Sequence, residues 1–159
     1  MANTSNRRQL TDRDTETLLA LNRCPLTVRQ LMKISETFKA TPFQSPRSVQ
    51  DRLQKLHAAG WVSRWRYATT GPGGAPEYYK PTLLAYRFLH NPGASPPRKR
   101  AFGEIGVARH HHTHALSEFI VHTLVAAERR GIHMKNFYPE NSLRLAVQDE
   151  ARHVSCPNS

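Results

Sequence analysis

Cysteine is almost missing from this chain: Cys24 and Cys156 are the only two, at unrelated positions. Two such residues build no disulfide framework and are expected as free thiols in a reducing compartment. There is no Cys-x-x-Cys pair, which excludes a zinc site of the cysteine type, and no His-Glu-x-x-His. No apolar run approaches the ~18–20 residues that cross a bilayer. The polar first eight residues lack the apolar core of a secretion signal. No segment joins a Lys/Arg face to a large apolar face, so a membrane-surface helix is not expected either. The expected location is cytoplasmic, with no membrane contact.

Acidic residues are scarce in one region only. Residues 1–100 carry 17 Lys and Arg against 6 Asp and Glu, an excess of 11, whereas residues 101–159 carry 6 of each. The whole net charge of +11 therefore lies in the first segment. Charge of one sign confined to one part of a chain points to a polyanionic partner, of which nucleic acid is the expected kind.

Local signals divide the chain. Residues 10–23 form a first helix, with Thr11 as N-cap, Asp12 and Asp14 at the positive end of the dipole, and Pro25 as the stop. Thr27 begins a short second helix. Thr27 and Gln30 have capping-box spacing, and Leu26 and Leu31 are placed as a hydrophobic staple. A polar connector over 35–44 comes next, anchored by Phe38 and Phe43. Ser45-Pro46 opens a third helix, in which Val49, Leu53 and Leu56 make one apolar stripe and Gly60 supplies the left-handed end.

Residues 61–67 alternate aromatic and basic side chains. This predicts a strand with Trp61, Trp65 and Tyr67 on one face and Arg64 and Arg66 on the other. A Gly/Pro-rich loop over 68–76 leads to a returning strand, 77–80, and then to a helix over 81–90 with Leu83, Leu84, Tyr86 and Leu89 inward. Residues 91–106 are a linker. A long helix over 107–130 carries Leu116, Phe119, Ile120 and Leu124, widened by Val121 and Val125. Two alternating stretches, 132–138 and 142–148, are expected as short strands.

The expected fold is α+β, mainly helical: a winged helix-turn-helix in residues 1–90, then the linker, then a long helix with a small β element in 107–159. The first unit has its own core, from Leu18, Leu21, Leu31, Val49, Leu53, Leu56 and Trp61. DNA binding is expected to reside in it. The third helix leaves its polar residues outside. Arg47, Ser48, Gln50, Asp51 and Gln54 are the candidates near base edges, and Arg52 and Lys55 the candidates for phosphate. Asp51 repels phosphate and must accept from a cytosine amino group or pair with a neighbouring cation. Arg64, Arg66 and Lys80 at the base of the hairpin suit backbone contact.

Residues 10–67, LTDRDTETLLALNRCPLTVRQLMKI … SPRSVQDRLQKLHAAGWVSRWRY, resemble the winged-helix start of the replication-relaxation family of bacterial plasmid and mobile-element proteins. The stretch HALSEFIVHTLVAAERRGIHMKNFYPE, from His114, resembles the segment after the winged helix in that family. The resemblance implies DNA binding in plasmid replication, relaxation or regulation. Longer members continue into a mixed α/β region like that of nucleases. No Pro-Asp…Glu-x-Lys constellation occurs here, so a short or truncated member that is not an enzyme is expected.

Seven of the nine histidines lie after residue 100. On a helix, His110 and His114 share a face and could bind a transition metal, while His122 drifts off it. One helix cannot close a tetrahedral site. A polar helix face, or a phosphate-binding start when protonated, is the plainer reading, and no metal or cofactor is expected. The leading function is a transcriptional regulator or replication accessory protein that binds DNA as a homodimer through Leu116, Phe119, Ile120 and Leu124. The alternatives are a metal-dependent nuclease-like protein, using the histidines and Glu118, and a protein-interaction adaptor.

Overall fold

A computed structural model describes residues 10–68 and 74–132. The order is α1 (Asp12–Arg23), β1 (Leu26–Thr27), α2 (Val28–Ile34), α3 (Pro46–Ala58), β2 (Val62–Arg66), β3 (Glu77–Pro81), α4 (Leu83–Leu89) and α5 (His110–Arg129). The fold is α+β and mainly helical, with one three-stranded antiparallel sheet in the order β1-β3-β2. The two alternating stretches expected as strands lie outside the described residues, apart from Ile132.

Each of the first three helices begins where its side chains satisfy its own amides. Thr11 and Asp14 form a reciprocal capping box on α1, Thr27 and Gln30 on α2, and Ser45 and Ser48 on α3, with Pro46 in its first turn. Helix α3 ends in a Schellman turn. Gly60, at φ +81°, donates to His57, and Trp61 donates back to Leu56. A side chain at Gly60 would be strained by that φ alone. Between α2 and α3 the connector is pinned: Ser35 Oγ accepts from Phe43 N at 3.1 Å, and Glu16 accepts from the amides of Lys39 and Ala40.

The two sheet faces have different occupants. Register places Val62, Arg64 and Arg66 opposite Pro81, Tyr79 and Glu77. Leu26, Val62 and Tyr79 on this face join the helix core with Leu18, Leu31, Val49 and Leu53. Arg64 and Arg66 continue the same face beyond the core. The other face carries Trp65 and Tyr78, stacked at 5.8 Å, with Tyr67 at 4.4 Å from Tyr78. The segment expected as a linker straps this second face. Tyr78 Oη accepts from Ile105 N at 3.0 Å, Lys80 Nζ donates to Gly103 O at 2.7 Å, and Tyr86 packs edge-on to Phe102.

Three sequence expectations are corrected here. Strand β1 replaces a bare staple: Leu26 and Thr27 pair with Tyr79 and Tyr78 while leading into α2. In α4, which starts from the Thr82 cap, it is Ala85 that is buried and Leu84 that is exposed, because the helix packs on α1 and β3. The long helix buries only one flank of its expected apolar stripe, the one that holds Val121, Leu124 and Val125. Its α-helical part starts at His110, and His110, Ser117, Val121, Leu124 and Val125 are buried, whereas Phe119 is 68% exposed. The cause is its partner. Helix α5 lies along α2, where Ser117 Oγ donates to Pro25 O at 2.7 Å, Gln30 Nε2 donates to Glu118 Oε1 at 2.8 Å, and Arg129 donates to Glu36 at 2.5 Å. Val121, Leu124 and Val125 belong to the same core as α1–α3.

Candidate nucleic-acid interface

A broad groove of roughly 1280 Å³ opens between α3, the hairpin, α2 and α5. Gln50 and Gln54 of α3 form one wall, and Arg64, Glu77 and Tyr79 of the hairpin another. Arg29, Gln30 and Lys33 come from α2, and His114, Glu118 and His122 close the side formed by α5. Arg64 of the hairpin and Gln50 and Gln54 of α3 thus look into one concavity. Helical geometry explains why: with Val49, Leu53 and Leu56 inward, Arg47, Asp51 and Lys55 fall on the outer side, and Gln50 and Gln54 fall on the flank toward the groove.

The structure divides the ten candidate residues. Arg47, Gln50, Asp51, Gln54, Lys55, Arg64 and Arg66 are exposed. Asp51 Oδ1 accepts from Arg47 Nε at 3.1 Å, one of the two pairings open to it. Ser48 is engaged in the cap, accepting from Ser45 N and donating to Ser45 O at 2.7 Å. Lys80 turns to the strap carbonyl of Gly103, away from the groove face of the sheet, and burial lowers its pKa. Arg52 turns inward to Asp14, whose side chain is 0% exposed. Burial alone would raise the Asp14 carboxyl, but hydrogen bonds from Arg52 and Thr11 outweigh it and hold the pKa below its ordinary value. Ser48, Arg52 and Lys80 are therefore committed within the fold.

Sequence reasoning missed Arg29 and Lys33. The signal was present: once the Thr27 cap fixes the start of α2, these two lie four residues apart on one helix face. It also missed that α5 borders the site.

The histidines separate as well. His110 is buried, accepting at Nδ1 from Ala68 N at 2.8 Å and bonding at Nε2 to Ile105 O at 2.7 Å. A ring that accepts at Nδ1 and donates at Nε2 is the neutral Nε2–H tautomer. Its edge contacts are Tyr67 and Tyr78. It ties the hairpin to the strap and does not form part of a polar face. His114 packs edge-on to Tyr67, and His122 Nε2 lies 3.3 Å from Glu118 Oε2. Among the described residues no group of three or more His, Cys, Asp or Glu is placed to hold a metal ion.

These features define an α+β protein that presents a helix and a basic hairpin on one concave side. Comparison supplies the family. The sequence profile of the replication-relaxation family matches residues 17–150, and the chain belongs to that family. Membership points to a replication-related role of the plasmid or mobile-element kind. No curated protein and no solved structure matched the chain. Among the described residues no helix is long and apolar enough to cross a membrane.

Proposed function

We propose that this protein is a winged-helix DNA-binding protein that acts without enzymatic activity of its own. It would serve as a replication accessory protein or transcriptional regulator of a plasmid or mobile element. The observation that carries the reading is the shared groove, where Gln50 and Gln54 of α3 line the same concavity as Arg64 of the hairpin and Arg29 and Lys33 of α2. A major groove about 12 Å wide admits a helix such as α3, and the hairpin then lies over the adjoining backbone. Arg47, Gln50 and Gln54 are assigned to base edges. Lys55, Arg64 and Arg66 are assigned to phosphates, together with Arg29 and Lys33.

Arg47→Ala and Gln50→Ala should then cost about 1–3 kcal/mol at single base positions of a selected site. Arg64→Ala and Arg66→Ala should weaken all duplexes alike and flatten the salt dependence by about 0.9 in log–log slope each. Binding-site selection followed by titration across salt checks both. A uniform loss in all four variants would refute the base-reading assignment.

A homodimer completes the reading, because one such module reads few bases and a two-fold site supplies a second half. Leu124 lies in the protein's own core and Ile120 packs against it, so the dimer contact is assigned to the outer side of α5, from Phe119 with the half-buried Leu116. Phe119→Glu should give a folded monomer that binds a two-fold site more weakly. Light scattering showing the wild type monomeric at micromolar concentration and already bound tightly would remove the dimer.

A further inference from the structure

We propose that Glu77 and Asp51 are specificity-setting residues, carboxylates placed on the cations of the DNA-facing surface that hold down binding to duplexes of arbitrary sequence. The inference rests on the DNA reading proposed for this groove. It concerns the carboxylates of α3 and of the hairpin, whose charge opposes binding.

Glu77 stands opposite Arg66 in the hairpin register and engages both hairpin arginines. Its Oε1 lies 3.7 Å from Arg66 Nε and its Oε2 lies 3.7 Å from Arg64 Nη1. Tyr79, itself buried, donates its hydroxyl to Oε2 at 3.2 Å. At 3.7 Å the contacts to arginine are Coulombic and are too long for hydrogen bonds. Ion pairs this exposed add little to folding stability. Their effect falls on binding. A phosphate drawn to Arg64 or Arg66 enters the field of a carboxylate that the Tyr79 hydroxyl holds in place.

Asp51 repeats the arrangement on α3. It pairs with Arg47 one helical turn away, at 3.1 Å, and both are exposed on the outer side of the helix. A pose that lays α3 across phosphates brings Asp51 against negative charge. A pose that sets α3 against base edges can offer the same carboxylate a cytosine amino group. Both carboxylates thus penalise binding that relies on phosphates alone, and α3's base contacts are left to decide where the protein stays.

The test is fluorescence anisotropy with a 24-base-pair duplex of mixed sequence at about 0.1 M salt. The variants are Glu77→Gln, Asp51→Asn and, as a control, Glu128→Gln. Glu128 is exposed in the last turn of α5, outside the groove and roughly 9 Å along the helix beyond His122, while the proposed contacts lie on α2, α3 and the hairpin. All three variants raise the net charge by the same amount. Glu77→Gln and Asp51→Asn should each bind about 5- to 10-fold tighter, the worth of one further phosphate contact at this salt. Glu128→Gln should stay within about twofold of the wild type, since exposed charges beyond a Debye length are largely screened. In an Arg64→Ala/Arg66→Ala background, Glu77→Gln should gain nothing. Wild-type affinity in Glu77→Gln, or an equal gain in Glu128→Gln, overturns the inference while leaving the DNA reading intact. A duplex bound by none of the four proteins overturns both.

Discussion

A chain ending at residue 95 should lose cooperative folding, even though all of the assigned DNA contacts lie before that point. The cut removes Val121, Leu124 and Val125 from the common core. At about 1.5–3 kcal/mol for each buried apolar side chain, the loss is on the order of 5–9 kcal/mol. Domains of this size are stable by only about 5–15 kcal/mol in all. The cut also uncovers Tyr67 and Tyr78, removes the His110 bridge between Ala68 and Ile105, and leaves Gln30 without Glu118. Thermal unfolding followed by near-ultraviolet circular dichroism is the check. A sigmoidal transition within about 2 kcal/mol of the full chain would show that α5 is dispensable.

Asp14→Asn should lower stability by about 2–3 kcal/mol. Removing one partner of a buried ion pair typically costs ~3–5 kcal/mol, and the lower figure reflects that Arg52 keeps some contact with solvent. For a chain of this length that is a fall in Tm of roughly 5–10 °C. The pH dependence follows from the depressed Asp14 pKa. A carboxyl depressed in the folded state stabilises fully above its unfolded value, near 3.9, and that contribution is lost as pH falls through the folded value. The wild type should therefore lose stability on acidification below about pH 4 more steeply than Asp14→Asn. Parallel acid profiles for the two proteins would remove the ion pair from the account. A double-mutant cycle with Arg52→Ala isolates the coupling.

Both expectations turn on the difference between local and distant causes, and the same difference decides what a sequence discloses. Caps are local. Thr11, Thr27, Ser45 with Pro46, and Gly60 each act within a few residues of where they stand, so the starts of α1–α3 and the end of α3 were legible. So was the stripe of Val49, Leu53 and Leu56, because its period is that of the helix itself. The exposed candidates Arg47, Gln50, Asp51 and Gln54 follow from that stripe by subtraction.

Features set by distant partners were not legible. Arg52 has the same chemistry as Arg47, and only the approach of Asp14, 38 residues earlier, turns it inward. Lys80 alternates correctly along its strand, yet the strap, absent from any local pattern, claims its ammonium group. In α5 the larger apolar side chains include Phe119, but the face that is buried is the one whose small and polar members, Ser117 and His110, fit the carbonyls and amides waiting for them. A periodicity count weighs apolar residues and misses a seam closed partly by hydrogen bonds. Strand β1 escaped because two residues show no alternation.

The latches between α5 and the stretch from Pro25 to Glu36 have a consequence in time. Ser117 reaches back 92 residues to Pro25, Glu118 reaches 88 to Gln30, and Arg129 reaches 93 to Glu36. Synthesis delivers the chain from its N-terminus at about 5–20 residues per second. For some seconds, then, α1–α3 and the hairpin exist while the helix that completes their core has yet to emerge. Contacts of such long span also slow folding once the chain is released, since loop closure precedes any return from burial. The cationic surface is thus translated before the body that holds it in shape. A nascent chain should acquire its binding geometry late and in one step, when α5 docks.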